Sequence, residues 1–325
     1  MENLTALPMA LPKVSICCWT YNHENFIRDA LDGFVMQKTN FPFEVIIHDD
    51  ASTDKTADII REYEAKYPDI IRPIYQSENQ FWKIQLAENL VFPLIRGEYV
   101  AICEGDDYWT DENKLQKQVD FLDANLDFSV CFHSIKVTHE DGSVPDHYFP
   151  EPKARFDRDI LTVHNLLCWN FIQTNSVMYR WRFNENFGPL NLGAAGVKPG
   201  DWYWHLLHAQ VGKIKYIDEV MGVYRRHENG MWTGDFETIC LKYGVCKLRF
   251  FLALEKYFPE YDIILGHPYT CKQAYIYFKI YLKHQRFNEM QEVLRMCPDC
   301  LNPEYISDND YVEKVLNHEK VKGVT

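Results

Sequence analysis

The chain has 325 residues, 46% of them hydrophobic and 25% charged, with 20 Tyr, 20 Phe and 8 Trp. This length and globular composition lead us to expect one large domain with an appendage and a sizeable core. The formal net charge of −13 argues against nucleic acid as a partner, because a phosphate backbone calls for a basic face; a diphosphate is still compatible if a divalent cation neutralises it.

Residues 1–12 lack a basic start followed by a long apolar run, and no stretch approaches the roughly 20 apolar residues that span a bilayer. We therefore expect neither a secretory signal nor a membrane anchor. The ten cysteines are scattered, and Cys17 and Cys18 are adjacent in an expected buried strand. That usage fits a reducing, cytoplasmic compartment with thiols serving as small hydrophobes.

Residues 14–20 read as a strand and 24–37 as a helix with apolar Phe26, Ile27, Ala30, Leu31, Phe34 and Val35. A second strand over 43–48 ends in the polar turn Asp49-Asp50-Ala51-Ser52-Thr53-Asp54. A helix over 55–67 stops before Pro68. A third strand (70–75), a helix (85–95, closed by Gly97) and a fourth strand (99–103) follow, and Glu104-Gly105-Asp106-Asp107 breaks that strand. Strands alternating with helices imply right-handed βαβ units and a mainly parallel sheet with helices on both faces. Ligands bind outside the carboxyl ends of such strands. Thr20-Tyr21-Asn22, Asp49-Asp50 and Glu104–Asp107 all fall there and are expected to converge.

Beyond Asp107 we expect a helix over 114–124, a strand over 128–138, a Pro- and Gly-rich loop over 140–158, strands over 171–179 and 213–224, and a helix starting near Asp201. From about 235 onward only helices are expected, at 236–258, 267–284 and 287–296. The division is an N-terminal extension (1–11), an α/β catalytic domain (12–232) and a helical C-terminal domain (233–325). Cys297-Pro298-Asp299-Cys300 closes a helical stretch and has no second pair at zinc-finger spacing, so these read as ordinary thiols.

Carboxylates at a strand end with Gly between them suit a hard cation, Mg²⁺ or Mn²⁺, which takes oxygen ligands and leaves places for phosphate oxygens. Alone, such a turn is more often merely solvated; the second acidic turn at another strand end reverses that preference. Asp201, after Pro199-Gly200, reads equally as a helix N-cap or as a general base.

In order and spacing, Pro12-Lys13-Val14-Ser15-Ile16, Thr20-Tyr21-Asn22-His23, Asp49–Thr56, Glu104-Gly105-Asp106-Asp107-Tyr108-Trp109, Gly200-Asp201-Trp202 and Tyr224-Arg225-Arg226-His227 resemble the motifs of family 2 glycosyltransferases over residues 12–230. The resemblance implies a GT-A fold and inverting transfer of a hexose or N-acetylhexosamine from a UDP-sugar to a hydroxyl of a glycan or lipid-linked acceptor in bacterial polysaccharide synthesis. It implies that Thr20, Tyr21 and Asp50 hold the base, with Asp49 in support and Asn79 near the nucleotide. Asp106 and then Asp107 become metal ligands, with His227 as a further one. Glu104 stands where Asp is usual and can still reach ribose hydroxyls or a metal-bound water. Asp201 becomes the catalytic base, Arg225 and His227 hold the diphosphate, and Gln173, Thr174 and Asn175 line the acceptor side. Tyr108 and Trp109 are expected to pack before the next helix.

Acyl transfer and dinucleotide oxidoreduction lack their G-x-S-x-G and G-x-G-x-x-G signatures. A nucleotidylyltransferase would carry a Gly-rich basic loop after the first strand, which 19–25 does not. A non-catalytic sugar-nucleotide scaffold is the rival from another class. The aromatic tail (Tyr243, Phe250, Phe251, Leu254, Tyr275, Tyr277, Phe278, Ile280, Tyr281) is expected to pack on the catalytic domain or on its own helices by default, with a homodimer surface as the alternative. Lys272, Lys279, Lys283, His284 and Arg286 also raise a peripheral contact with the inner face of an anionic membrane.

Overall fold

A computed structural model describes residues 11–81, 87–151, 160–182 and 200–306. Among these, nine strands form one sheet, in the order β3-β2-β1-β4-β8-β6-β9-β5 with β7 also against β6. Here β1 is Val14–Thr20, β2 Phe43–Asp49, β3 Ile71–Tyr75, β4 Tyr99–Ile102, β5 Tyr108–Trp109, β6 Phe128–His139, β7 His147–Phe149, β8 Met178–Arg180 and β9 Lys213–Arg226.

The half that carries the motifs, β3-β2-β1-β4, is parallel throughout. The other half is mixed: β8 runs antiparallel to β4 and β6, β9 runs parallel to β6, and β5 runs antiparallel to β9. Strand alternation explains why β1 is buried on both faces. Val14, Ile16 and Cys18 face a core shared with α1 (Ile27–Val35) and α2 (Thr56–Lys66), whereas Cys17 faces a second core. On α1, Ile27, Ala30, Leu31 and Phe34 recur at helical spacing and are fully buried, each large one contributing about 2 kcal/mol.

Several expected elements differ from the observed ones. The expected 85–95 helix begins outside the described residues. Its remainder is a single π-helical turn at Ala87–Val91 and a 3-10 turn at Phe92–Leu94, because Pro93 cannot donate the amide that an α-helix needs. The expected 171–179 strand is short: Thr174–Ser176 forms a 3-10 turn before β8, and the polar side chains of Thr174 and Asn175 bond Asp201 and Val223 in place of a ladder. The 140–158 loop contains β7, paired with β6, and its residues 152–158 lie outside the described ones.

The helices are α3 (Lys114–Ala124), α4 (Val163–Cys168), α5 (Gly200–Ala209), α6 (Phe236–Tyr257), α7 (Pro259–Ile264), α8 (Gly266–Lys283), α9 (Phe287–Met296) and α10 (Pro303–Ile306). Asp235 caps α6, its carboxylate accepting the Thr238 N–H at 2.8 Å, as an N-cap should. Phe250, Phe251, Leu254, Phe258 and Tyr261 belong to the same apolar cluster as Tyr203, Leu206 and Val130. The tail is therefore welded to the α/β core by α6 and α7, while α8 and α9 build a second cluster on α6's other side.

The same packing bears on two partner expectations. The aromatic side chains that prompted a dimer surface are largely consumed within the chain. Of the basic residues that prompted a membrane contact, Lys283 and His284 pair with Glu237, and Arg286 pairs with Glu289. No helix among the described residues is long and apolar enough to cross a membrane.

Candidate active site

The carboxyl ends of β1, β2 and β4 are sutured into one platform. The Asp50 N–H donates to Thr20 O (3.0 Å), the Gly105 N–H to Trp19 O (2.9 Å) and the Cys103 N–H to Cys17 O (3.1 Å). Gly105 is required by close approach: a Cβ there would lie 2.8 Å from the Thr20 side chain and 3.0 Å from His23 Nδ1. Asn22 occupies the left-handed region at φ 55°, which Asn tolerates. Its side chain accepts the Thr53 N–H at 2.8 Å.

Much of the Asp49–Thr56 motif is therefore scaffolding. Ser52 Oγ accepts the Asn22 N–H and donates to Asp49 Oδ1, Thr56 Oγ1 accepts the His23 N–H, and Asp54 accepts the Glu24 N–H. Asp49 is buried in this supporting position. Asp50 is clamped by the Gln80 and Phe81 N–H groups at 2.7 and 3.1 Å, and Asn79 Nδ2 donates to its carbonyl at 3.3 Å. Tyr21 is exposed at the platform rim.

At the acidic turn, Glu104, Asp106 and Asp107 each offer an oxygen within 4.8 Å of the others. The Asp107 N–H closes the turn on Glu104 O at 3.1 Å. Tyr108 and Trp109 then pair with Val223 and Gly222, and this zips the turn to the end of β9. The pairing delivers Arg225 and His227 to the carboxylates. His227 Nε2 lies 3.0 Å from Asp106 Oδ2, with His23 Nε2 3.7 Å from the same oxygen. The Arg225 N–H donates to Asp107 Oδ1 at 2.9 Å and its guanidinium to Asp106 O at 3.1 Å. The guanidinium also pairs with Asp29 and lies 4.3 Å over the Tyr108 ring. Arg225, expected at a diphosphate, here braces the acidic turn.

The two aspartates are electrostatically unlike. Burial works against the Asp106 charge, but the hydrogen bond from His227 and the nearby His23 imidazole outweigh it and lower its pKa. Burial pushes the Asp107 carboxyl well up, and the charges of Asp106 and Glu104 add to this. Its Oδ2 is buried with no hydrogen-bond partner. An uncompensated buried carboxylate oxygen beside two further carboxylates is the donor set a hard divalent cation takes, so the residues fit such an ion.

Asp201 lies in the first turn of α5 and accepts a 2.7 Å hydrogen bond from Thr174 Oγ1. The 3-10 turn holding Thr174 reaches back to the acidic turn: Asn175 O accepts from Trp109 Nε1 (2.7 Å), and Asn175 Nδ2 donates to Val223 O (2.8 Å). Gln173–Asn175 thus bridges Asp201 and the β5–β9 pair.

The model of the family described as "Glycosyl transferase family 2" matches residues 15–186. The chain belongs to this family. A Mycobacterium tuberculosis protein is 50% identical to this glycosyltransferase-family chain over 221 residues, 67% of the chain and 60% of its own length. The chain thus spans about three-fifths of the mycobacterial relatives it matches. TuaG of Bacillus subtilis, named for teichuronic acid biosynthesis, is 33% identical over 144 residues, 44% of this chain and 54% of that one. TarS 1–349 of S. aureus, solved with UDP-GlcNAc, superposes with a TM-score of 0.54 at 15% identity, covering 96% of this chain and 95% of its own. The mannosyltransferase PcManGT of Pyrobaculum calidifontis, solved with GDP-Man and Mn²⁺, gives 0.55 at 16% identity over 91% and 88%. The fold of this family 2 member is GT-A.

Two residues of this glycosyltransferase platform had no role assigned from sequence. His23, whose Nδ1 is buried without a partner, sits in the quoted Thr20–His23 motif, so its signal was present. Asp29 lies on α1, 196 residues from Arg225 in sequence, and nothing local marks it as that residue's partner.

Proposed function

We propose that this chain is an inverting, metal-dependent transferase that moves a hexosyl or N-acetylhexosaminyl group from a UDP-sugar to a hydroxyl of a glycan or lipid-linked acceptor. The observation that carries this is the coplacement of the Glu104-Asp106-Asp107 cluster with His227 at the carboxyl ends of parallel strands. Asp106, Asp107 and His227 would hold Mn²⁺ or Mg²⁺, and the ion when bound supplies Lewis-acid stabilisation of the leaving diphosphate.

Asp50, fixed by two backbone N–H groups, keeps lone pairs for a donor on the base, with Thr20, Tyr21 and Asn79 around it. Glu104 serves the ribose hydroxyls. Arg225 and His227 belong to the diphosphate side, Arg225 by holding the acidic turn. Asp201, oriented by Thr174, accepts the acceptor's proton as that oxygen attacks the anomeric carbon and the bond to the diphosphate breaks on the opposite face. We place the reaction in the cytoplasm, where sugar nucleotides are available.

The test is nucleotide release from a panel of UDP-sugars, with GDP-mannose included, in the presence of Mn²⁺, together with thermal stabilisation by UDP plus Mn²⁺. Asp106→Ala is expected to lose both. Asp201→Asn should keep the stabilisation and lose at least about 10²-fold in kcat. A wild-type chain that neither binds any nucleotide nor turns over would sink the reading in favour of a scaffold.

A further inference from the structure

Lys114 opens α3 and is fully buried. Its ammonium donates to Gln118 Oε1 at 2.7 Å and lies 3.9 Å from the centre of the Trp109 ring, over its face. The carboxylate that acts on it, Asp111, is committed to Lys117 at 2.6 Å. A buried cation without an ion-pair partner is costly, and an apolar side chain of the same length would pack here without that cost. The position therefore calls for a reason to carry charge.

Both contacts of the ammonium lead to the same place. Gln118 Nε2 donates to Ser176 O at 3.0 Å, and Trp109 Nε1 donates to Asn175 O at 2.7 Å. Asn175 and Ser176 are two of the three residues of the 3-10 turn, and the third, Thr174, holds Asp201. One buried charge thus reaches two successive carbonyls of that turn, each through one intermediary.

The surrounding groups keep a fixed charge near neutrality. Burial pushes the Cys103 and Cys131 thiols well up, so both stay protonated. Burial, with the neighbouring Lys114 and Lys117 cations, pushes His133 of β6 well down, so it stays neutral. Asp111 stays ionised against burial through hydrogen bonds from Lys117 and the Asn113 N–H, and Lys117 is held cationic by Asp111 and Glu219. Lys114 differs from all of these. Burial lowers its pKa to about 7, against the attraction of Cys131, Cys103 and Asp111.

We propose that Lys114 is a positioning residue for the acceptor half of the reaction, its ammonium setting the Thr174–Ser176 turn through Gln118 and Trp109 and so the aim of Asp201. This rests on the proposed role of Asp201 as the base. Below about pH 7 the ammonium holds both intermediaries. Above it the neutral amine loses its attraction to the indole face, and the turn gives up one of its two holds.

The first test does not require turnover. The indole N–H resonance of Trp109, assigned with Trp109→Phe, should shift between about pH 6 and 8 in the wild type and stay fixed in Lys114→Met. With donor, acceptor and metal saturating, wild-type kcat should fall as pH rises through that window. Lys114→Met should be about 10-fold slower at the acid end and lack the inflection, with stabilisation by UDP plus Mn²⁺ unchanged. A wild-type indole resonance that ignores pH, or a Lys114→Met chain with the wild-type kcat and inflection, overturns the inference and leaves the transferase reading standing. A wild type without nucleotide binding or turnover sinks that reading instead, since the indole titration judges the hold of Lys114 on the turn by itself.

Discussion

Glu44 lies at the opposite end of the strands from the site, and it is among the most committed charges in the molecule. It is 1% exposed and accepts hydrogen bonds from Ser15 Oγ (2.7 Å), Arg72 (2.6 Å) and Arg96 Nε (2.9 Å). Burial alone would raise its pKa, but those bonds together pull it below the ordinary carboxylate value. A depressed pKa means that the folded state is favoured by ionisation. The contribution is fully present above the unfolded value of about 4.3 and is lost as pH falls through the lower folded value. Glu44→Gln is expected to cost about 1–3 kcal/mol at pH 7, the half-exposed arginines reducing what a wholly buried pair would give. Denaturant titrations should show that cost fading at pH values below about 4; a pH-independent difference would assign the effect to packing instead.

At the scale of elements, the short turn Thr174–Ser176 does more than its length implies. It ties the β5–β9 pair to the first turn of α5 through Trp109, Val223 and Asp201. Thr174→Val keeps the shape and removes the hydroxyl donor. It should lower kcat about 10-fold by misaiming Asp201, with little change in nucleotide-dependent stabilisation. Equal losses in both would argue against a positioning role. The parallel half and its three strand-end clusters were legible because periodicity and polar breaks are local signals. The turn at 174–176 and the brace from Asp29 to Arg225 were not, since each depends on a partner distant in sequence. Of the Asp49–Thr56 motif, only Asp50 and, in support, Asp49 are expected at the site from sequence. In the structure, Ser52, Asp54 and Thr56 hold the loop that follows β1, a division of labour no one-dimensional pattern reveals.

For the whole molecule, the boundary near residue 233 marks a change of element type and not of core. The Phe250 ring of α6 lies 4.8 Å from the Trp202 ring of α5, tilted by 38°, and is fully buried. Phe250→Ala should cost about 3–5 kcal/mol and destabilise the α/β portion and the tail in a single transition. Two separate calorimetric transitions would show that the tail folds by itself. Sequence could show that the tail is helical and apolar, but which core received that apolar face had to come from the packing.

That same contact ties the tail to the helix that carries the proposed base. Asp201 and Trp202 are neighbours in one helical turn, so whatever steadies the indole on α6 also steadies the proposed base beside it. The donor side is anchored instead by the hydrogen-bonded ends of β1, β2 and β4. If tails diverge among relatives while the sheet stays constant, acceptor handling would drift with the tail and donor handling would not.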